Sequence, residues 1–524
     1  MGNVKVEILD TTLRDGEQTQ GVSYSPLEKL HIATMLLKEL KVDRIEVASA
    51  RVSAGEQEAV RRITGWAAQN GMLERVEVLG FVDGDISLNW IRNAGARVVN
   101  LLCKGSLRHL EKQLRKTPDE HLDDIRNIIS LAAENGMQVN IYLEDWSNGM
   151  ISSPDYVFNM IDALRDTKAR RIMLPDTLGI LNPDQTYRFC RMMTDRYPAI
   201  EFDFHAHNDY DLAVANVFAA VRAGIKGIHT TVNGLGERAG NAPLSSVIGV
   251  LKDQLGAMTS VNEFEITHVS RLVETFSGLR IPVNKPLIGA NVFTQTSGVH
   301  ADGDQKDNLY CNNLKPERFG RKRTYALGKQ SGKATVRKNL EEFGLELSPE
   351  SLTRVTERII ELGDKKENIT TEDLPFIISD VLGNEHSENN IFIKNFSLSI
   401  TSGLKPSASV QLEIDGQLYQ ETASGDGQYD AFMKAVRKIY DSLSQKLPVL
   451  IDYEVSIPPG GRTDALVETT ITWEHHGKEF RTRGLDADQT ESAIKATEKM
   501  LNIIDANGDR HLNKSELIKT TNEL

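Results

Sequence analysis

At 524 residues, with 40% hydrophobic and 26% charged residues and no low-complexity tract, the chain is expected to fold into two to four globular domains. A net charge of −13 with no offsetting basic block excludes a nucleic-acid binder, and three scattered cysteines, Cys103, Cys190 and Cys311, exclude a disulfide framework or a Cys-x-x-Cys metal site. The opening MGNVKVEILD lacks a signal peptide's apolar core and no apolar run approaches membrane-spanning length, which predicts a cytoplasmic enzyme that touches no membrane.

Short β-branched or apolar runs recur along the first half, at Val4–Leu9, Arg44–Ala48, Val76–Phe81, Arg97–Leu102, Gln138–Leu143, Arg171–Leu174, Glu201–Phe204 and Ile225–Val232. Helical patterning separates them. In SPLEKLHIATMLLKEL, Ser25 is the expected N-cap, Pro26 takes the first helical position and Glu28 completes a capping box. Eight alternations of strand and helix over residues 1–280 predict an α/β fold, a (β/α)8 TIM barrel. No glycine fingerprint follows the first strand, which disfavours a doubly wound sheet.

Barrel enzymes assemble their sites at the carboxyl ends of the strands. Here those ends read DTTLRDGEQ, NLLCKGS, YLED, PDT, HAHND and NGLGERAGN after strands 1, 4, 5, 6, 7 and 8. His205 and His207 lie two apart in an extended chain and so face one side. Such a pair alone occurs on many surface strands. Six polar ends converging on one mouth, where unpaired charge is costly to bury, give it a functional reading. Asp15, His205, His207 and the Asn241 amide oxygen form the expected ligand set, and donors without thiolate suit Mg²⁺, Mn²⁺ or Zn²⁺ alike. A divalent ion with open positions would chelate a 2-oxo acid and polarise its ketone. Arg14 would stabilise the developing alkoxide, and Thr177 would donate to the substrate carboxylate.

Together LDTTLRDGEQ, HAHND, NGLGERAGN and QTSGVHADG resemble the acyl-CoA-condensing branch of the DRE-TIM metallolyase family, which includes 2-isopropylmalate, citramalate and homocitrate synthases. The resemblance runs along essentially the whole chain. It implies a Claisen condensation in which the enolate of acetyl-CoA attacks a 2-oxo acid and the thioester is then hydrolysed to free CoA. It also implies that Arg14 and Glu144 are the catalytic pair, that Asp15, His205, His207 and Asn241 hold the metal, and that Thr177 meets the substrate carboxylate. His300 and Tyr310 are implied in catalysis, with Asp302, Asn308, Leu309 and Tyr310 approaching acetyl-CoA. Either Glu144 or His300 can be the base. The cysteine that hydroxymethylglutaryl-CoA lyases carry in the last glycine-rich loop is missing from NGLGERAGN, and no lysine matches that of the biotin-dependent carboxyltransferases.

Leu79, Leu102 and Tyr142 at the strand ends are apolar or bulky and supply no basic group for a second substrate carboxylate. They favour a monocarboxylate with a small apolar tail. The volume of Tyr142 favours pyruvate, giving (R)-citramalate on the route to isoleucine, with 2-oxoisovalerate and 2-isopropylmalate, on the route to leucine, as the alternative.

Residues 281–385 are expected to be a helical linker that completes the acetyl-CoA site. Within it NVFTQTSGVHADGDQKDNLYCNN reads as a moving loop, while SPESLTRVTERIIELGDKK and TEDLPFIISDVL read as amphipathic helices. GNEHSENN marks a boundary, and residues 390–505 contain an internal repeat. GQLYQETASGDGQYDAFMKAV from Gly416 overlays GKEFRTRGLDADQTESAIKAT from Gly477, each copy reading as strands followed by a helix. The resemblance implies a regulatory domain that binds the end-product amino acid, isoleucine or leucine according to the substrate, with Tyr429, Asp430, Tyr453 and Ile457 as candidate contacts in a homodimer. A domain for dimerisation alone is the plainer reading. In the polar tail 506–524, Asn507, Asp509, Asn513 and Glu516 follow Asp505 at EF-hand spacing, but Arg510 stands where glycine makes the turn, so a solvated tail is expected. A non-catalytic amino-acid sensor is the rival class. Arg14, Glu144 and His300 count against it, because sensing requires none of them.

Overall fold

The computed structural model describes residues 4–306, 309–342, 345–364, 369, 371–374, 377–378, 381, 391–456, 467–486 and 488–506. They form two compact units, residues 1–294 with 310–324 and residues 295–309 with 325–524.

The first unit is a closed parallel barrel of β1 (Glu7–Asp10), β2 (Arg44–Ser49), β3 (Val76–Phe81), β4 (Val98–Lys104), β5 (Gln138–Glu144), β6 (Ala169–Asp176), β7 (Glu201–Ala206) and β8 (Gly227–Thr230). All eight expected strands are present. The first starts at Glu7 rather than Val4, since Lys5 makes only an isolated bridge to Met258. Helix α1 (Pro26–Thr34) follows β1 and opens as expected, with the Ser25 hydroxyl accepting from the Glu28 N–H in a capping box. It is followed by α2 (Ala54–Gln69), α3 (Ile86–Asn93), α4 (Pro118–Glu134), α5 (Pro154–Leu164), α6 (Pro183–Arg196), α7 (Ala213–Arg222) and α8 (Leu244–Leu255), with α9 (Ile266–Ser277) behind them.

Strand alternation divides each side-chain row in two. The outward set, including Val6, Ile8, Ile45, Val47, Val76 and Val78, packs with the helices into one continuous core. The inward set is mostly polar. At its base, buried Arg44 bonds Glu77 (2.9 Å) and Asp203 (2.5 Å), and Arg171 bonds Asp203 (3.0 Å) and Glu7 (2.6 Å). Burial alone would raise the Asp203 carboxyl, but Arg44, His229 and Arg171 hold it well below the usual range. Glu46, Asn100 and Asn140 form a hydrogen-bonded chain above this layer. An apolar cluster of Leu9, Leu79, Tyr142 and Met173, with Leu102 against it, fills the rest of the lumen.

Gly227 at the start of β8 lets the ionic layer close, because a Cβ there would lie 1.8 Å from Asp203 Oδ1. The two arginines pin that carboxylate, so it has no way to give. Gly227→Ala is expected to destabilise the barrel by roughly 2–4 kcal/mol, seen as a lower midpoint in chemical denaturation. A midpoint unchanged from the parent would contradict this account of the layer.

In the second unit, part of the stretch expected to be a loop is helical. Helix α10 (Gly298–Gln305) starts at Ser297, whose carbonyl accepts from the His300 and Ala301 N–H groups. Sequence patterning missed it because two glycines fall inside one short, weakly amphipathic helix. Helices α11 (Lys333–Glu342) and α12 (Pro349–Asp364) share a core that includes Val336, Leu340, Leu352, Val355 and Ile359, so the SPESL segment is helical as its periodicity predicts. GNEHSENN lies outside the described residues.

The repeat is real in three dimensions. Strands β9 (Ile391–Ser399), β10 (Ser407–Ile414) and β11 (Gln417–Ser424) lead to α13 (Gln428–Ser442). Strands β12 (Val449–Ser456), β13 (Val467–His475) and β14 (Lys478–Asp486) lead to α14 (Gln489–Ala506). Each copy is an antiparallel three-stranded sheet, with a register shift in its first strand at Ile393/Asn395 or Leu450/Asp452. The two hairpins turn on Asp415-Gly416 and His476-Gly477, all at positive φ, the geometry that two-residue hairpins favour. Residues 507–524, which carry most of the EF-hand-like spacing, lie outside the described residues.

Candidate metal centre and active site at the barrel mouth

Immediately after β1 the Thr11 carbonyl accepts from the N–H groups of Arg14, Asp15 and Gly16 at 3.1, 2.9 and 3.1 Å. That tight turn folds Arg14 and Asp15 back over the lumen. Asp15 Oδ2 lies 3.1 Å from His205 Nε2 and 3.9 Å from His207 Nε2, with Arg14 Nη1 at 3.3 Å. The three residues offer ligand atoms within 4.8 Å of one another, and all three are buried. His205 is the next-to-last residue of β7 and its ring meets that of His207 at 5.0 Å, so the i, i+2 geometry aims both rings at one place. His207 bridges to Asn241, which brings the fourth expected ligand alongside.

The donor atoms fit a divalent cation. Buried and without a hydrogen-bond partner are Asp15 Oδ1, His205 Nδ1, His207 Nδ1 and Asn241 Oδ1. The Asn241 amide NH₂ is engaged by the Leu235 carbonyl at 3.2 Å, which turns its oxygen toward the cluster. Burial pulls His207 down to about 4 and lowers His205, so both are neutral imidazoles at pH 7, the form that ligates. Burial would raise Asp15, but the Arg14 guanidinium beside it and the His205 hydrogen bond hold it well below the carboxylate range. The glycine-rich loop after β8 permits this approach: a Cβ on Gly236 would fall 2.4 Å from Asn241 Nδ2, and one on Gly240 would fall 2.0 Å from the Gly234 carbonyl oxygen.

Around the centre, Arg14 donates from Nε to Glu46 at 2.6 Å, its guanidinium lies 5.9 Å from the Tyr142 ring centre, and its buried Nη2 has no partner. Tyr142 meets the His205 ring edge-on at 5.9 Å. Thr177 Oγ1 accepts from the Asp145 N–H at 2.9 Å, which leaves its own hydroxyl proton available to donate. Arg238 in the last loop locks onto Asp209 with two bonds of 2.8 and 3.0 Å and onto the Thr177 carbonyl at 2.8 Å, joining three strand ends. Leu79, Leu102 and Tyr142 form the apolar cluster below the mouth.

Glu144 is not a lone acid. It pairs with Lys104 at the facing register position of β4, and the Lys104 N–H donates to His121 Nε2 at 3.1 Å. Lys104 thus adds at the end of β4 a basic group that Leu79, Leu102 and Tyr142 do not supply. Lys104 lies two residues beyond Leu102, on the same lumen face, so alternation alone could have found it. Glu46 was equally legible, as a single charge inside the apolar run of β2. No pattern pointed to Lys29, whose helix position reads as surface.

His300, Asp302 and Leu309 belong to the second unit and Tyr310 to the first. Asp302 pairs with Lys306 at 2.7 Å, and Leu309 and Tyr310 are exposed. Asn308 lies outside the described residues, as does Ile457. Among the effector candidates, the Tyr429 and Tyr453 rings meet at 5.3 Å and the Tyr429 hydroxyl bonds Thr497 at 2.7 Å. Asp430 accepts from Lys434 and from the Asp426 N–H, at 2.7 and 2.8 Å. No helix among the described residues is long and apolar enough to cross a membrane.

Three family models cover the chain: HMGL-like over residues 5–273, homocitrate synthase post-HMGL domain-like over 287–367, and the LeuA allosteric (dimerisation) domain over 368–504. A candidate (R)-citramalate synthase of Methanopyrus kandleri is 36% identical, spanning 89% of this chain and 90% of that one. The (R)-citramalate synthase of Methanocaldococcus jannaschii is 35% identical over 95% of this chain and 99% of its own. The 2-isopropylmalate synthase of the same organism is 33% identical over 94% and 93%.

Proposed function

The chain belongs to the HMGL-like family, among the citramalate and 2-isopropylmalate synthases, and on that premise we propose that it condenses acetyl-CoA with pyruvate to give (R)-citramalate, with 2-oxoisovalerate as the alternative acceptor. It is an acetyl-CoA-utilising transferase. The observation that carries the reading is the convergence of Asp15, His205 and His207 beside the partnerless Nη2 of Arg14, above an apolar floor.

Asp15, His205, His207 and the Asn241 oxygen would hold a divalent ion, which would supply Lewis-acid polarisation of the keto group. The acetyl methyl group loses a proton to Glu144 or His300, and the resulting carbanion equivalent forms a carbon–carbon bond to C2 of the keto acid. Arg14 faces the oxygen that gains charge as that carbonyl π bond breaks, and a proton then neutralises it. Water finally cleaves the thioester to a carboxylate and the CoA thiol. Thr177 donates its hydroxyl proton to the substrate carboxylate, while Asp302, Leu309 and Tyr310 serve acetyl-CoA.

Pyruvate is favoured because Tyr142 is held against His205 and fills the lumen next to Leu79 and Leu102. A dicarboxylic acceptor is disfavoured, since the charge of Lys104 is already matched by Glu144. Relatives of both names stand at similar identity, so the pocket carries the choice. The LeuA-type repeat supports a cytoplasmic homodimer inhibited by isoleucine through the Tyr429–Tyr453 region. CoA release, followed with a thiol reagent in the presence of Mg²⁺ or Mn²⁺, tests all of this against pyruvate, 2-oxoisovalerate and 2-oxoglutarate. Pyruvate preference with isoleucine inhibition is the expected result. Preference for 2-oxoisovalerate with leucine inhibition would keep the chemistry and overturn the reading of Tyr142.

A further inference from the structure

Lys29 is the only lysine among the fully buried side chains that the described residues present at 0% exposure, and its ammonium sits among four acceptor groups. Two are carboxylates, Glu17 at 2.6 Å and Glu56 at 2.7 Å. Two are backbone carbonyls, Leu13 at 3.0 Å and Val47 at 3.4 Å. Leu13 immediately precedes Arg14, and Val47 immediately follows Glu46, the carboxylate that holds the Arg14 Nε. One ammonium therefore grips the chain next to both members of the Arg14–Glu46 pair. The second loop-side contact is also anchored, since Glu17 accepts from the Tyr24 N–H at 2.8 Å. We propose that Lys29 is a positioning residue for the metal centre, holding the turn that presents Arg14 and Asp15.

The physical reason is the price of burying an ammonium, which is favourable only where every proton finds an acceptor. Joining α1 to α2 would require Glu56 alone. The lysine also spans the two carbonyls and Glu17, and in satisfying its protons there it ties the Leu13–Glu17 segment to β2. Without those contacts the turn is held from the other side by the Thr11 carbonyl, and by Thr12 and Thr19, which bond Val232 and Gly236 in the loop after β8. The Arg14–Glu46 bond is then the remaining tie to β2 in this turn, and Asp15 and Arg14 are held less firmly against the histidines.

This inference rests on the metal centre proposed above, so the experiment separates the two. Mn²⁺ titration of the metal-free full-length protein would compare the parent with Lys29→Met, Glu56→Gln and Asp15→Ala, with circular dichroism and thermal melting as fold checks. Lys29→Met is expected to weaken Mn²⁺ binding by about 10- to 100-fold, the range for residues that orient metal ligands, and to lower kcat more than it raises KM. Glu56→Gln should lower the melting temperature and leave Mn²⁺ affinity unchanged, as a purely structural pair would. Loss of binding in Asp15→Ala with parental binding in folded Lys29→Met would overturn the role of Lys29 alone. Parental binding in both would overturn the centre and this inference together. If Lys29→Met does not fold, Glu17→Gln removes the loop-side carboxylate while keeping the lysine, and parental Mn²⁺ affinity and kcat in that variant would likewise overturn the proposal.

Discussion

Asp15→Ala is expected to abolish CoA release from acetyl-CoA while the barrel stays folded. Its Oδ2 is the point on which both histidine Nε2 atoms and Arg14 converge, and its Oδ1 is buried without a partner. Removing it takes a charged donor from the cation site and leaves Arg14 oriented only from the Glu46 side. Lewis-acid activation is worth several kcal/mol, so at 1.36 kcal/mol per decade the loss should be on the order of 10³-fold or more. Stability should change far less, because the apolar core lies between strands and helices rather than in the lumen. His207→Ala should act in the same way. Full activity in either variant, measured by thiol release with saturating Mn²⁺, would show that the metal assignment is wrong.

Glu144→Ala is the second large effect. General-base contributions are typically about 10²–10⁴-fold, and that is the expected fall in kcat. The keto-acid KM should hardly move, because Glu144 stands at the rim of the mouth with Lys104 rather than among the groups of the metal centre. The substitution also leaves the buried Lys104 with no acceptor at that position, so Glu144→Gln, which loses the charge but keeps an oxygen for the ammonium, is the better control for stability. A rise in KM with unchanged kcat in the glutamine variant would mean that Glu144 binds substrate and does no chemistry. Solvent-deuterium exchange into the acetyl methyl group then assigns the base: exchange lost in Glu144→Gln but kept in His300→Ala selects Glu144, and the converse selects His300.

The two copies of the repeat share hairpin turns and a bulged first strand, yet the same helix positions carry different contacts. Lys434 and Lys438 on α13 bond Asp430 and the Thr422 carbonyl, whereas Lys495 and Lys499 at the equivalent positions of α14 bond Asp486 and Asp373.

Much of this protein was legible in its residues alone. Eight strands, the capped first helix, the paired histidines at the end of β7 and the C-terminal repeat all follow from local periodicity, and local periodicity is set by backbone geometry that neighbouring residues impose on one another. The convergence of Asp15, His205 and His207 was legible too, because hydrophilic residues at the strand ends must meet once a barrel closes. What only the tertiary structure decided are partnerships between residues far apart in sequence. Glu46 holds Arg14, Lys104 neutralises Glu144, and Lys29 is buried among four acceptor groups although its position on α1 reads as surface. The helix around His300 was hidden for a related reason, since two glycines mask its pattern. A charged residue announces its type in the sequence, but whether it meets water or a counter-ion depends on strand register and barrel closure, and no window of neighbouring residues contains that information.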